Sequence, residues 1–278
     1  MKINDLVYSV FIYLLLFILA FSIKSSDVKL SGLKTYVWDV GQGDSALIVT
    51  PNGNKILIDG GDNFESDFKL SMLVPFFSCK LDAVILTHPH SDHIKGLSRI
   101  MKRCKISVIM FNDVDYTSRD YSYFKDLSKN FNVKNMYKGD EFVIDDVKFK
   151  VLWPTEEFLQ TKVSDINETS IMVFIDYKNF EALFLGDAGS NDLSKIDLNS
   201  IKPFIDGDLE IIKVPHHGSK FGLNKEFYAN LKPKTCVISV GKDNMFGHPS
   251  KEVVEYLSKS GCNVLRTDTS GDIVITSK

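Results

Sequence analysis

Histidine placement constrains this chain more than any other feature of its sequence. Six histidines occur in 278 residues, and they fall in three clusters. These are His88-Pro89-His90-Ser91-Asp92-His93, the pair His216-His217, and His248 within Gly247-His248-Pro249-Ser250. Histidine is the commonest metal ligand and a frequent acid–base group. The first cluster follows a short apolar run at 83–87 (AVILT), of the kind found in a buried strand, and runs into a helical segment at 94–104. In extended backbone, alternate residues face the same way, so His88 and His90 can grip one cation together. Asp92 and His93 leave the chain after it turns into the helix and can reach a second cation. Four ligand-type residues in six positions support a two-metal centre, which needs ions about 3.5–4 Å apart, a shared carboxylate and an open site for water. Mixed imidazole and carboxylate donors suit zinc, manganese or iron.

The rest of the chain supplies a frame for such a site. With 44% hydrophobic and 25% charged residues the composition is that of a globular domain and excludes disorder or a coiled-coil rod. Lys and Arg total 33 against 36 Asp and Glu, a formal charge of −3. That balance removes the electrostatic argument for a dedicated nucleic-acid binder and leaves room only for a local basic strip.

Residues 6–23 (LVYSVFIYLLLFILAFSI) are uncharged. A stretch of about 18 such residues is just long enough to cross a hydrocarbon core as a helix. Its length favours a transmembrane anchor, whereas Ala20-Phe21-Ser22 favours cleavage as a signal peptide; both readings place the remainder outside the membrane. The expected organisation is a signal peptide or anchor over 1–23, a polar linker over 24–32 and one domain over 33–278. Cys79, Cys104, Cys236 and Cys262 have no CxxC spacing, which argues against a zinc knuckle. Their even number permits two disulfides, but a domain of this length does not need them, so free buried thiols are expected.

Strand signals are dense: 33–40, 45–50, 55–58, 83–87, 106–111, 133–138, 141–153, 170–176, 180–185, 209–214, 235–240, 263–265 and 272–276. Helical patterns fall at 94–104, 120–130, 224–231 and 250–258. Many strands with several hairpins and interspersed helices predict an α/β (α+β) chain of two packed mixed sheets with helices outside.

The order H-x-H-x-D-H resembles the signature of metallo-β-lactamase-fold hydrolases. Asp39-Val40-Gly41-Gln42-Gly43-Asp44-Ser45, Leu57-Ile58-Asp59-Gly60-Gly61, Asn167-Glu168-Thr169-Ser170, Leu185-Gly186-Asp187, Val214-Pro215-His216-His217-Gly218-Ser219 and Gly247-His248-Pro249-Ser250 follow in order. Together they are similar to the hydrolase domain of ComEC-type DNA-uptake proteins and their stand-alone relatives, over about residues 33–278. The resemblance implies a four-layered αββα sandwich. It implies two divalent ions, zinc or manganese. His88 and His90 would hold one; Asp92, His93 and one histidine of the pair His216-His217, with His217 favoured over His216, would hold the other, with Asp187 bridging. His216 would stand beside the substrate. Asp59 would hold a ligand imidazole by its free N–H.

Broader relatives place a further histidine on the first metal between the first cluster and the bridging Asp. No histidine lies between His93 and His216 here, and Asn167 takes that place. ComEC-type relatives often replace the second histidine of the motif by Asp, whereas this chain keeps His90. The expected chemistry is hydrolysis of a phosphodiester, DNA among the candidates, by a water activated between two ions. Asp92, His216 and His248 would be the catalytic groups, His248 as a donor to a phosphate or leaving oxygen or else as a structural histidine. Asp44 and Ser45 would line or support the metal edge, and Lys220 would meet a substrate phosphate or solvent. Two competing readings are cleavage of a lactam, lactone or thioester on the same centre, and an accessory binding protein without turnover.

Overall fold

Most strands of this chain bury both faces, and that sets its layering. The structure is a computed structural model that describes residues 8, 11–13, 32–205 and 207–277. The segment 1–23 and the linker 24–32 lie outside the described residues, apart from exposed helical positions at 8 and 11–13 and from Gly32. No helix among the described residues is long and apolar enough to cross a membrane.

From Lys34 the chain runs through an antiparallel meander of β1 (Lys34–Val37), β2 (Ala46–Val49) and β3 (Lys55–Ile58). A two-stranded ribbon of β4 (Lys80–Leu81) and β6 (Lys105–Ile106) flanks β5 (Ala83–Ile85) and β7 (Ile109–Met110). Strands β5, β7 and β8 (Val133–Lys134) extend the sheet from β3 in parallel. The second sheet holds β9 (Glu141–Ile144), β10 (Val147–Trp153), β11 (Met172–Tyr177) and β12 (Phe180–Phe184) in antiparallel order. It then continues in parallel through β13 (Ile211–Lys213), β14 (Thr235–Ile238) and β15 (Asn263–Arg266). The last strand, β16 (Ile273–Thr276), returns to pair with β1. The sheet orders are β16-β1-β2-β3-β5-β7-β8 and β15-β14-β13-β12-β11-β10-β9.

Alternation along the strands assigns the layers. Ile48, Ile56, Ile58 and Ile85 face Phe149, Val173, Ile175 and Ala182 in a core between the sheets. Leu47, Leu57 and Val84 point the other way, onto helices α1 (Glu65–Leu73), α2 (Ser91–Arg103) and α3 (Arg119–Ser128). Leu183, Ile212 and Ile238 face α4 (Lys225–Leu231) and α5 (Lys251–Lys259). Each fully buried Leu or Ile contributes about 2 kcal/mol of transfer free energy. The result is the four-layered αββα sandwich the resemblance implies.

Helix α2 positions the site. It buries His93, Ile94, Gly96, Leu97, Ile100 and Met101, at helical spacing, and leaves Lys95, Arg99 and Lys102 outside. Asp92 in its first turn and Lys102 and Arg103 in its last suit the helix dipole.

Several expectations need correction. Residues 141–153 are not one strand but the hairpin β9–β10, turned at Asp145 with φ +55°. Two short strands replace the run 106–111. Helix α1 is absent from the sequence-based expectation because its apolar side chains do not follow a buried stripe: Phe64 before it, and Phe68 and Met72 within it, are exposed. The cysteines are buried but not free. Cys79 bonds Cys104, with Cα atoms 4.6 Å apart, and Cys236 bonds Cys262, with Cα atoms 5.9 Å apart. Each pair is joined when a helix returns the chain beside an earlier strand, a juxtaposition that spacing alone does not reveal.

Candidate metal centre

The residues singled out in the sequence lie where strands end. Asp59 follows β3, and the cluster at 88–93 follows β5. Gly186-Asp187 follows β12, and His216-His217 follows β13. In both sheets these are the strands at which pairing changes from antiparallel to parallel. Open sheets with helices favour ligand sites outside the carboxyl ends of their strands.

Four side chains converge there. Donor atoms of Asp92, His93, Asp187 and His217 all lie within 4.8 Å of one another. His217 Nε2 is 3.2 Å from Asp92 Oδ2 and 3.4 Å from Asp187 Oδ2. His93 Nε2 is 3.4 Å from Asp187 Oδ1. Beside them, His88 Nε2 and His90 Nδ1 are 3.2 Å apart, and the His88 and His93 rings stand 4.2 Å centroid to centroid.

Hydrogen bonds behind the rings fix which nitrogen faces the site. His93 Nδ1 is 2.8 Å from Asp59 Oδ2, so Nε2 is the nitrogen left for the centre. Thr87 donates its hydroxyl to Asp59 Oδ2 and its backbone N–H to Oδ1, and the same hydroxyl contacts His88 Nδ1 at 3.2 Å. Asp59 therefore has both oxygens engaged; it orients His93 directly, and Thr87 stands between it and His88. His217 Nδ1 lies 3.0 Å from the carbonyl of Ser239. The adjacent histidines point apart, with ring centroids 6.2 Å apart at 81°. The cause is not extended backbone, as expected, but two successive left-handed residues, φ +50° at His216 and +52° at His217. Non-glycine residues rarely adopt that region, and functional sites are where such strain persists.

The electrostatics are those of a site that calls for positive charge. Burial opposes protonation of His93, but Asp187 and Asp59 outweigh it and hold its pKa well above the ordinary value. The same holds for His217 beside Asp187, Asp44 and Asp92. Burial would raise Asp187 and Asp92, yet the neighbouring histidines hold both below the usual carboxylate range. Burial, aided by the charge of His93, pushes His88 well below its ordinary value, which keeps that ring neutral. Among the described residues, buried atoms at the centre lack a hydrogen-bond partner, among them His93 Nε2, Asp187 Oδ1 and Asn167 Oδ1. Buried polar atoms are seldom left so, and the set of an imidazole, a carboxylate and an amide oxygen fits a divalent cation.

The segment Asp39–Ser45 supports this arrangement from below. Gly43 has φ +119°, and a Cβ there would lie 2.1 Å from the Asp92 carbonyl; the Asp44 N–H donates to that carbonyl. Ser45 Oγ donates to the Asp59 carbonyl. The Asp44 carboxylate lies 3.3 Å from His217 Nδ1 and also meets the ammonium of Lys213. Lys213 is 2% exposed, and sequence reasoning missed it. A single lysine at the end of the apolar strand before the histidine pair was the available signal, since a buried lysine is almost always paired.

A cleft of about 510 Å³ opens over the centre, lined among others by Asn167, His90, Asp92, Asp187, His216 and His248. His216 and His248 face one another with ring centroids 5.7 Å apart. The backbone N–H of His248 donates to the Asn244 side-chain oxygen, and the Asn244 amide donates to the His248 carbonyl. His248 thus lines the cleft on a braced loop, and Ser250 begins α5 without a side-chain cap. Lys220 does not line this cleft; it is exposed, over the Phe221 ring.

The fold has known counterparts. The sequence profile of the Metallo-beta-lactamase superfamily matches residues 38–241. ComE operon protein 3 of Bacillus subtilis (strain 168) is 30% identical over 254 residues, which cover 84% of this chain and 32% of that protein. Competence protein ComA of Neisseria gonorrhoeae is 27% identical over 241 residues, covering 84% of this chain and 31% of that protein. The chain thus spans about a third of the length of these relatives. Tm1679, a metal-dependent hydrolase of the beta-lactamase superfamily, shares the fold with a TM-score of 0.58 at 13% identity, covering 88% of this chain and all of that one. By its sequence profile and its architecture, the chain belongs to the metallo-β-lactamase superfamily and is similar to ComEC-type competence proteins.

Proposed function

We propose that this protein is a metal-dependent phosphodiester hydrolase, with nucleic acid as its best substrate class. The observation that carries the reading is the convergence of Asp92, His93, Asp187 and His217 around buried donor atoms that lack hydrogen-bond partners. His88 and His90, with Asn167 beside them, would hold one divalent ion; Asp92, His93 and His217 would hold a second, and Asp187 would lie between them. Zinc and manganese both suit these donors. Bound there, the ions supply Lewis acidity and a water made nucleophilic near neutral pH.

The chain's own residues supply the rest. Asp59 and Ser239 fix the ring tautomers of His93 and His217, the support that metal-ligating histidines require. Asp92 is the partly exposed member of the cluster, so it can accept a hydrogen bond from the attacking water and orient it. His216 and His248 stand together in the cleft wall, placed to donate to a phosphoryl or leaving oxygen. The competence proteins among the relatives support a nucleic-acid substrate. The uncharged segment at 6–23 supports a place outside the membrane, secreted or anchored on its outer face.

The test is elemental analysis of the purified full chain, followed by hydrolysis of bis-p-nitrophenyl phosphate and of nitrocefin with added manganese or zinc. The expected result is bound divalent metal and phosphodiester cleavage that Asp92→Ala abolishes. Metal-loaded protein that opens nitrocefin and leaves the phosphodiester intact would overturn it.

A further inference from the structure

A second cleft, of about 650 Å³, shares Asp62 and Lys95 with the one over the candidate centre. Its floor is the outer face of α2. Lys95, Arg99 and Lys102 line it at positions i, i+4 and i+7, which stack on one side of a helix. At 1.5 Å per residue they span about 10 Å, leading away from the helix start that carries Asp92 and His93. Two aromatic rings flank the cations. Phe64 is 62% exposed and Tyr123 41% exposed; Arg99 lies 4.8 Å from the Phe64 centroid and Lys102 4.9 Å from that of Tyr123.

The acidic groups of this cleft are engaged. Asp62 pairs with Lys95, and Asp120 accepts the hydroxyl of Ser91. Arg99 meets Asp67 through Nε, behind the cleft, while the Lys102 ammonium lies over the Tyr123 ring. The Asp62–Lys95 pair is exposed on both sides and is worth about 1 kcal/mol or less, so a polyanion can displace it. Cations that track a backbone, with ring faces on which successive bases stack, are the means by which proteins hold single strands without reading sequence.

We propose that this cleft is a track for single-stranded nucleic acid, continuous with the candidate centre, so that the substrate is a chain rather than a mononucleotide or a cyclic nucleotide. The proposal rests on the phosphodiesterase reading of the neighbouring centre. It also explains how a chain of net charge −3 holds a polyanion: the basic strip is local, on one helix face. The rings favour bases over a base-free phosphate polymer.

Binding tests the track separately from catalysis. Fluorescence anisotropy would be read on the full chain with EDTA present. The probes are labelled oligothymidylates of about four and about twelve nucleotides, and abasic oligomers of the longer length. The expected affinity rises about tenfold with length and falls about tenfold in Tyr123→Ala for the base-containing strand only. In Lys102→Ala and in Arg99→Ala, the slope of log affinity against log salt should shrink by about 0.7 per cation removed; Lys102→Arg should restore it. Affinity that ignores length, or that Lys102→Ala and Tyr123→Ala leave unchanged, overturns the track. Equal affinity for the abasic strand overturns the nucleic-acid assignment in favour of a base-free polymer. Length-dependent binding by a metal-loaded protein that cleaves no phosphodiester would uphold the track and sink the proposed reaction instead.

Discussion

The two sheets are built alike, and the same place in each carries a carboxylate with a different task. Each has four antiparallel strands, ending in β3 in the first and β12 in the second, followed by three parallel strands. Asp59 follows β3, and Asp187 follows β12. The histidines of 88–93 come after β5, and those of 216–217 after its counterpart β13. Yet Asp59 has both oxygens engaged by Thr87 and His93, whereas Asp187 keeps Oδ1 without a hydrogen-bond partner, facing His93. Topology assigns the position; the hydrogen bonds already made there decide whether a carboxylate supports the site or serves as an open donor.

Four outcomes would break or sharpen this contrast. Asp187→Asn removes the open carboxylate and should lower phosphodiester kcat/KM about 10⁴-fold, or about 5 kcal/mol, with loss of bound metal by elemental analysis; near-normal turnover would erase the distinction between the halves. Among the described residues, the second half has a buried cation, Lys213, beneath its histidines, and the first half has no counterpart. Lys213→Met leaves the buried Asp44 carboxylate without its lysine, with only His217 beside it, and should cost about 4 kcal/mol in urea denaturation, most of it recovered when Asp44→Asn is added.

The disulfides offer a place where the halves should not differ. Their sequence separations are 25 and 26 residues, so replacing either pair by alanine should cost a similar amount, about 3 kcal/mol, by thermal unfolding; unequal losses would show that strain or packing outweighs loop closure. The smallest effect belongs to Asp59→Asn, which leaves all proposed ligands in place and should weaken metal affinity about 10- to 100-fold in a chelator competition. A loss as large as that of Asp187→Asn would make Asp59 a donor in its own right.

Much of the fold is legible in the order of residues alone. The short apolar runs at 55–58 and 83–87 and the tight turn that pairs Tyr177 with Phe180 between β11 and β12 are local patterns, and local patterns fix strands and turns. The cluster at 88–93 is legible for the same reason: its four ligand-type residues lie within one strand end and one helix turn. Less legible is helix α1, whose exposed Phe68 and Met72 break the amphipathic pattern. The bend at Asp145 is hidden as well, inside a run that reads as continuous strand.

The sequence by itself determined which residue types could make a metal centre and that they would stand at strand ends. The fold alone decided that Asp92 meets His217 across 125 residues of chain, that Lys213 lies under Asp44, and that Cys79 and Cys236 take Cys104 and Cys262 as partners. It also decided that Asp59 and Asp187 would differ. Spacing within one element follows from backbone geometry, which every residue carries with it. Contacts between distant elements follow from how the sheets close over their shared core, and no local pattern encodes that closure.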